Sequence, residues 1–243
     1  MIRRRAGWIA VVTLTLAFPA VAQQLPVGFV YLRDIDHAIA QDMRYAGPNN
    51  FTGAPLPGYD AAECVLREPA ARALAAVRAD LAAQGLGLKV YDCYRPARAV
   101  QAMLRWAGAP PAEEVDDRSF PQIPKSALLA QGYIAGHSAH STGLAVDLTL
   151  VAPGAPQKPP PGPCRGPGDD SLNMGTTFDC FDPQSDTDAR GIGAEARRHR
   201  ALLVAAMRRH GFANYRREWW HFSYSGATAK ASFDFPIVAR PAR

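Results

Sequence analysis

The run Ser138-Ala139-His140-Ser141-Thr142-Gly143-Leu144-Ala145-Val146-Asp147, taken with Glu218-Trp219-Trp220-His221, decides how this chain must fold. It supplies two imidazoles, a carboxylate close by, and a second carboxylate three residues before the second imidazole. Three neutral or anionic N/O ligands suit a zinc ion and leave its fourth tetrahedral position to water, whose proton the spare Glu can take. His140 and Asp147 are an odd number of residues apart, so on one unbroken strand they would point to opposite faces. The chain must therefore bend between them. Gly143 is the natural hinge, with Leu144, Val146, Leu148 and Leu150 then facing a core and Ala145, Asp147 and Thr149 facing the other way. Glu218 and His221 pose the same parity problem. Either the chain bends at the start of a strand or the piece is one helical turn, and the surrounding aromatic residues favour the strand.

Upstream, Glu68-Pro69 suits a first helical turn, and Leu74, Val77 and Leu81 fall on one face before Gly85 stops the helix. Leu86, Leu88 and Val90 alternate with Gly87, Lys89 and Tyr91, the period of a strand with one face in the core. This strand delivers Asp92-Cys93-Tyr94-Arg95-Pro96, and a helix follows over about 97–107 with Val100, Met103, Leu104 and Ala107 as its apolar stripe. Arg95, just before a Pro at a strand end, is placed to enter a cleft and meet a developing oxyanion. The acidic run Glu113-Glu114 and Asp116-Asp117 reads as solvated surface. Downstream, 151–193 is rich in Pro and Gly, an insertion or lid over a substrate pocket. A last helix over about 194–210 puts Leu202, Leu203, Ala206 and Met207 inward, with Arg197, Arg198, Arg200, Arg208 and Arg209 on a solvated face. His199 and His210 read as helix-surface residues. Phe212 to Tyr215 and Trp219 to Tyr224 form an aromatic hairpin.

Arg3-Arg4-Arg5, an apolar run from Trp8 to Phe18 and Ala20-Val21-Ala22 have the form of a secretory signal peptide cleaved after Ala22. The apolar run is well short of the roughly 20 residues of a spanning helix. We expect an exported, periplasmic chain beginning at Gln23, with residues 23–243 forming one domain. The formal charge of +5 falls to about +2 once those three arginines leave, so nucleic acid is not an implied partner. Cys64, Cys93, Cys164 and Cys180 include no C-x-x-C pair. In an exported chain they are read as disulfides, and of the three possible pairings Cys64 with Cys93 and Cys164 with Cys180 join segments close in sequence.

The motifs S-x-H-x-x-G-x-A-x-D and E-x-W-H together resemble the zinc D,D-peptidases of bacterial cell-wall metabolism, and most closely the D-alanyl-D-alanine dipeptidase family of the vancomycin-resistance type. The likeness runs through Arg44-Tyr45-Ala46, Asn50-Phe51-Thr52-Gly53, Tyr94 to Val100, His140 to Leu150, Met174-Gly175-Thr176, Phe178-Asp179, Glu218 to His221 and Ser232-Phe233-Asp234-Phe235-Pro236. It implies a compact α+β domain with a central antiparallel sheet flanked by helices, and one zinc ion in a cleft bound by His140, Asp147 and His221. Glu218 would be the general base and Arg95 the oxyanion partner. Asp179 would anchor the substrate's free ammonium, with Tyr45 and Ser138 near its carboxylate. Departures cluster at the pocket's walls. Ala139 stands where Ser is familiar and His137 where Lys is, and Gln184-Ser185-Asp186-Thr187 lacks an expected His pair. His137 as a fourth ligand would close the water's position.

The implied reaction is hydrolysis of the small dipeptide D-Ala-D-Ala, because a carboxylate that pairs with a free amine selects substrates ending one residue before the scissile bond. A D,D- or L,D-carboxypeptidase trimming peptidoglycan stems uses the same chemistry. A non-catalytic module binding zinc or a cell-wall peptide would have no need of Glu218 and Arg95.

Overall fold

The computed structural model describes residues 24–110, 118–154, 162–166, 168–228 and 231–241. The signal segment and the acidic run at 113–117 lie outside them. Strands β1 (Phe29–Tyr31) and β3 (Val65–Arg67) pair antiparallel as a small two-stranded sheet. Between them come the single-turn helix α1 (Leu32–Ile35) and the short strand β2 (Ala40–Gln41). Then follow α2 (Glu68–Ala82), β4 (Gly87–Asp92), α3 (Ala97–Gly108), β5 (Ala145–Val151), α4 (Ala194–Arg209), β6 (Phe212–Asn214) and β7 (His221–Tyr224). The main sheet has the order β2-β4-β5-β7-β6. It is antiparallel as expected except at its edge, where β2 runs parallel to β4.

The local signals act where the sequence places them. Helix α2 starts at Glu68 with Pro69 in its first turn and buries Leu74, Val77 and Leu81. These pack with Leu203, Ala206 and Met207 of α4 against Leu88 and Val90 of β4 and Val146, Leu148 and Leu150 of β5. All eleven side chains are fully buried, each of the Val, Leu and Met side chains worth roughly 1.5–3 kcal/mol relative to exposure. Helix α4 ends at Gly211, whose φ of +82° is the left-handed conformation that closes a helix.

The opposite face of the sheet is not solvent-exposed. Lys89, Tyr91 and Thr149 are buried there under the described part of the Pro/Gly-rich segment. Lys89 bonds Asp170 at 2.6 Å and Asp169 at 3.0 Å. The Tyr91 hydroxyl donates to Asp169 at 2.7 Å, and Phe178 stacks on the Tyr91 ring at 4.6 Å. Residues 168–182 thus form a wall of the domain as well as an edge of the pocket.

One arginine departs from the expectation for α4. Arg200 is buried instead of solvated, because its guanidinium donates to the carbonyls of Met174, Asp186 and Gln184 at 2.7, 2.7 and 3.0 Å. It is the internal clasp of the segment that precedes α4, and burial lowers its pKa to about 10. His199 meets the Asn173 carbonyl at 2.8 Å, and His210 meets Asp80 at 2.8 Å. The cysteines pair as Cys64–Cys93 and Cys164–Cys180.

Candidate metallopeptidase site

The sheet's register assembles the site. Asp147 on β5 sits directly opposite Asp92 of β4 on one side and His221 of β7 on the other, and directly opposed residues hold their Cβ atoms about 4.5–5.5 Å apart. A regular β4 would turn Asp92 to the same face as Leu88 and Val90. A register shift between Val90 and Asp92 carries it to the face of Asp147 instead. The bend before β5 is real. Ala139–Thr142 form a single 3-10 turn, capped by the Ser138 hydroxyl accepting from the His140 amide at 3.3 Å. Gly143 follows at φ +75°, where a Cβ would stand 2.3 Å from a Phe29 ring carbon. The second parity problem is solved likewise by a bend. The His221 amide bonds the Glu218 carbonyl at 3.2 Å, placing Glu218 in a turn just before β7.

His140 Nε2, Asp147 Oδ1 and His221 Nδ1 converge at 3.0–3.1 Å from one another. The Cys93 carbonyl accepts from His140 Nδ1 at 2.7 Å, which fixes the tautomer and leaves Nε2 with a free lone pair. Burial alone would raise the Asp147 carboxyl, but the two imidazoles outweigh it and hold it below the usual carboxylate range. Two lone-pair nitrogens and an anionic oxygen pressed this close suit a cation. Their spacing approaches the roughly 3.3 Å edge of a tetrahedron with 2.0–2.1 Å bonds. Among the described residues this is the group of His, Asp and Glu side chains able to hold a metal.

Glu218 Oε2 lies 3.8 Å from His221 Nδ1, outside the trio. Burial lifts its carboxyl to about 7, with His221 pulling it down and Asp147 pushing it further up. Arg95 is held by Asp92 at 2.8 Å, reaches Asp147 at 3.5 Å, and lies 4.9 Å over the Tyr45 ring. Asp92 is fully buried and Arg95 partly so, and the Tyr59 hydroxyl donates to the other Asp92 oxygen at 2.7 Å. Sequence reasoning gave Asp92 and Tyr59 no role. The register shift that turns Asp92 inward has no local sequence marker, although an Asp three residues before an Arg is a usable hint of a pair.

The trio opens on a cavity of about 210 Å³, whose lining includes Glu218, Arg95, Asp179, Tyr45 and Ser138 together with Phe181 and Trp220. All the expected site residues therefore share one cavity. Asp179 is the non-glycine residue at positive φ (+55°) among those described. Its Oδ2 accepts from the Tyr45 hydroxyl at 2.8 Å, so Tyr45, expected near the substrate's carboxylate, is bonded instead to the carboxylate expected to meet the ammonium. Burial, reinforced by Asp147, pushes the Asp179 carboxyl well up. His137 also lines the cavity but is exposed and stands apart from the trio.

Convergent N/O donors, a separate carboxylate and a partly buried guanidinium around one cavity define a metallopeptidase. Comparison with known proteins agrees. The D-ala-D-ala dipeptidase family model matches residues 26–238. A D-alanyl-D-alanine dipeptidase of Enterococcus faecium is 34% identical over 88% of this chain and 100% of its own length. One from Streptomyces coelicolor is 35% identical over 86% of this chain and 98% of its own, and one from Escherichia coli is 32% identical over 82% of each. A solved Zn(II) complex of a vancomycin-resistance D,D-pentapeptidase aligns with 67% of this chain and 74% of that one at 17% identity, with a TM-score of 0.38 that carries no weight. The chain belongs to the D-ala-D-ala dipeptidase family and is a peptidase.

Proposed function

We propose that this chain is an exported zinc dipeptidase that hydrolyses D-Ala-D-Ala. The observation that carries the reading is Asp179, a buried carboxylate in the same cavity as the metal trio and Glu218. Burial favours the neutral form of this carboxyl while the cavity is empty, and a substrate ammonium beside it would favour the ionised form that pairs with the ammonium. His140, Asp147 and His221 would hold one zinc ion, which when bound polarises the scissile carbonyl and acidifies water. Glu218 takes a proton from the attacking water on its carboxylate and returns it to the leaving amine. Arg95, aimed by Asp92, donates N–H groups to the oxyanion as charge develops. Asp179 accepts from the ammonium, with Tyr45 fixing its orientation, and Phe181 and Trp220 exclude bulk water from the cavity. Ser138 remains our candidate for the carboxylate end. Residues 1–22 would direct export and be removed.

Zinc-loaded protein assayed on D-Ala-D-Ala beside an N-blocked tripeptide tests the reading. Cleavage of the free dipeptide is expected, and cleavage of the blocked peptide alone would replace it with a carboxypeptidase. Export is tested by the N-terminal residue of processed protein, expected to be Gln23.

A further inference from the structure

Each element of the site is explained by the sheet register or by a hydrogen bond except one. The carbonyl that orients His140 belongs to Cys93, one residue beyond the end of β4, where the ladder no longer fixes the backbone. Its own side chain is bonded to Cys64, which immediately precedes β3. The next amide, of Tyr94, donates to the carbonyl of Val65, the residue after Cys64, at 2.9 Å. Cys64 is itself tied down, its carbonyl accepting from the Leu32 amide and its amide donating to the Gln41 side chain, both at 2.9 Å. A covalent bond and a hydrogen bond, one residue apart, thus clamp the end of β4 to the small β1-β3 sheet. Beyond the clamp, the Arg95 amide reaches back to the His140 carbonyl at 3.3 Å, so the same backbone turn carries both the His140 partner and the oxyanion arginine. Both cysteines are fully buried, and no cysteine is free.

We propose that the Cys64–Cys93 disulfide is a positioning device for the metal centre, holding the Cys93 carbonyl where it selects the His140 tautomer and aims Nε2 at the ion. Cys64 and Cys93 act through His140 and touch neither metal nor substrate. The Cys164–Cys180 bond is the internal control. It closes a comparable loop, with a sequence separation of 16 against 29, and its Cys164 sulfur lies 3.4 Å from the Ser119 carbonyl instead of by the His140 partner.

The inference rests on His140, Asp147 and His221 being the metal ligands, and the test separates the two. Zinc affinity is measured by chelator competition for the parent, for Cys64→Ala with Cys93→Ala, and for Cys164→Ala with Cys180→Ala. Loss of an outer partner of a ligating His lowers metal affinity about 10- to 100-fold, and that loss is expected for the first pair alone, although both pairs lower Tm. A parent that binds no zinc overturns the ligand assignment. A parent that binds zinc, with affinity unchanged within about twofold in the first pair, overturns only the positioning role. If the first pair fails to fold, the His140 Nδ1–H resonance is followed in metal-free parent protein before and after reduction under conditions that preserve near-UV circular dichroism. Faster exchange of that proton on reduction supports the clamp, and unchanged slow exchange refutes it.

Discussion

Replacing Asp179 by Asn separates the binding role of this carboxylate from any contribution to stability. Its Oδ2 accepts from Tyr45 at 2.8 Å, and an amide oxygen accepts the same bond, so the local geometry survives. What disappears is the charge that would meet a substrate ammonium. A hydrogen bond to a charged partner in a buried site is worth about 1.5–3 kcal/mol, or roughly 10- to 150-fold in kcat/KM. Stability should move the other way. Burial raises this carboxyl above its unfolded value, with Asp147 adding to the rise and Glu218 a lesser contributor. A carboxyl with a raised folded pKa gives its full stability at low pH and loses it as pH rises through the folded value. The neutral amide therefore leaves Tm equal to the parent's at about pH 3, below the unfolded carboxyl value of about 3.9, and higher than the parent's at about pH 8. The assay is kcat/KM on D-Ala-D-Ala and on its N-acetylated form, with thermal melts at both pH values. Unchanged kcat/KM on the free dipeptide, or an equal loss on the acetylated one, would refute the ammonium assignment.

Glu218→Gln should lower kcat by about 10²–10⁴ while retaining zinc, as loss of a general base requires; zinc analysis of the variant alongside turnover checks this. Gly143→Ala imposes a side chain at φ +75°, with its Cβ 2.3 Å from Phe29. A cost of about 2–5 kcal/mol is expected from strain and overpacking, read as a denaturant midpoint shift at unchanged m. Arg200→Met strips donors from three carbonyls. At about 1 kcal/mol each, Tm should fall by roughly 6–12 °C.

The bend at Gly143 was legible because parity forbids one unbroken strand, and the bend before His221 because the aromatic run favours a strand over the helical turn that parity also allows. Helices α2, α3 and α4 were legible because their apolar faces repeat locally, and the disulfides because near neighbours in sequence pair readily. Three features were not legible, for one physical reason. The inward turn of Asp92 depends on a register shift between two strands, the burial of Arg200 depends on carbonyls 14 to 26 residues away, and the parallel edge strand β2 is two residues long. Each is set by tertiary partners that leave no periodic trace. The same holds for Lys89 and Tyr91, whose alternation reads as an exposed face until residues 168–182 cover it.

The row Asp92, Asp147, His221 runs across three strands, and its last member is contributed by β7, which enters the sheet between β5 and β6. Neither His140 nor Asp147 can be joined by His221 until contacts spanning 81 and 74 residues have closed. Such long-range closure is slow, and its entropy is paid before its contacts reward it. The ligand trio is therefore among the last features to form in each molecule. A shortened chain lacking the final hairpin has no metal centre to assemble, and stopped-flow refolding should show zinc uptake lagging behind the first appearance of helix.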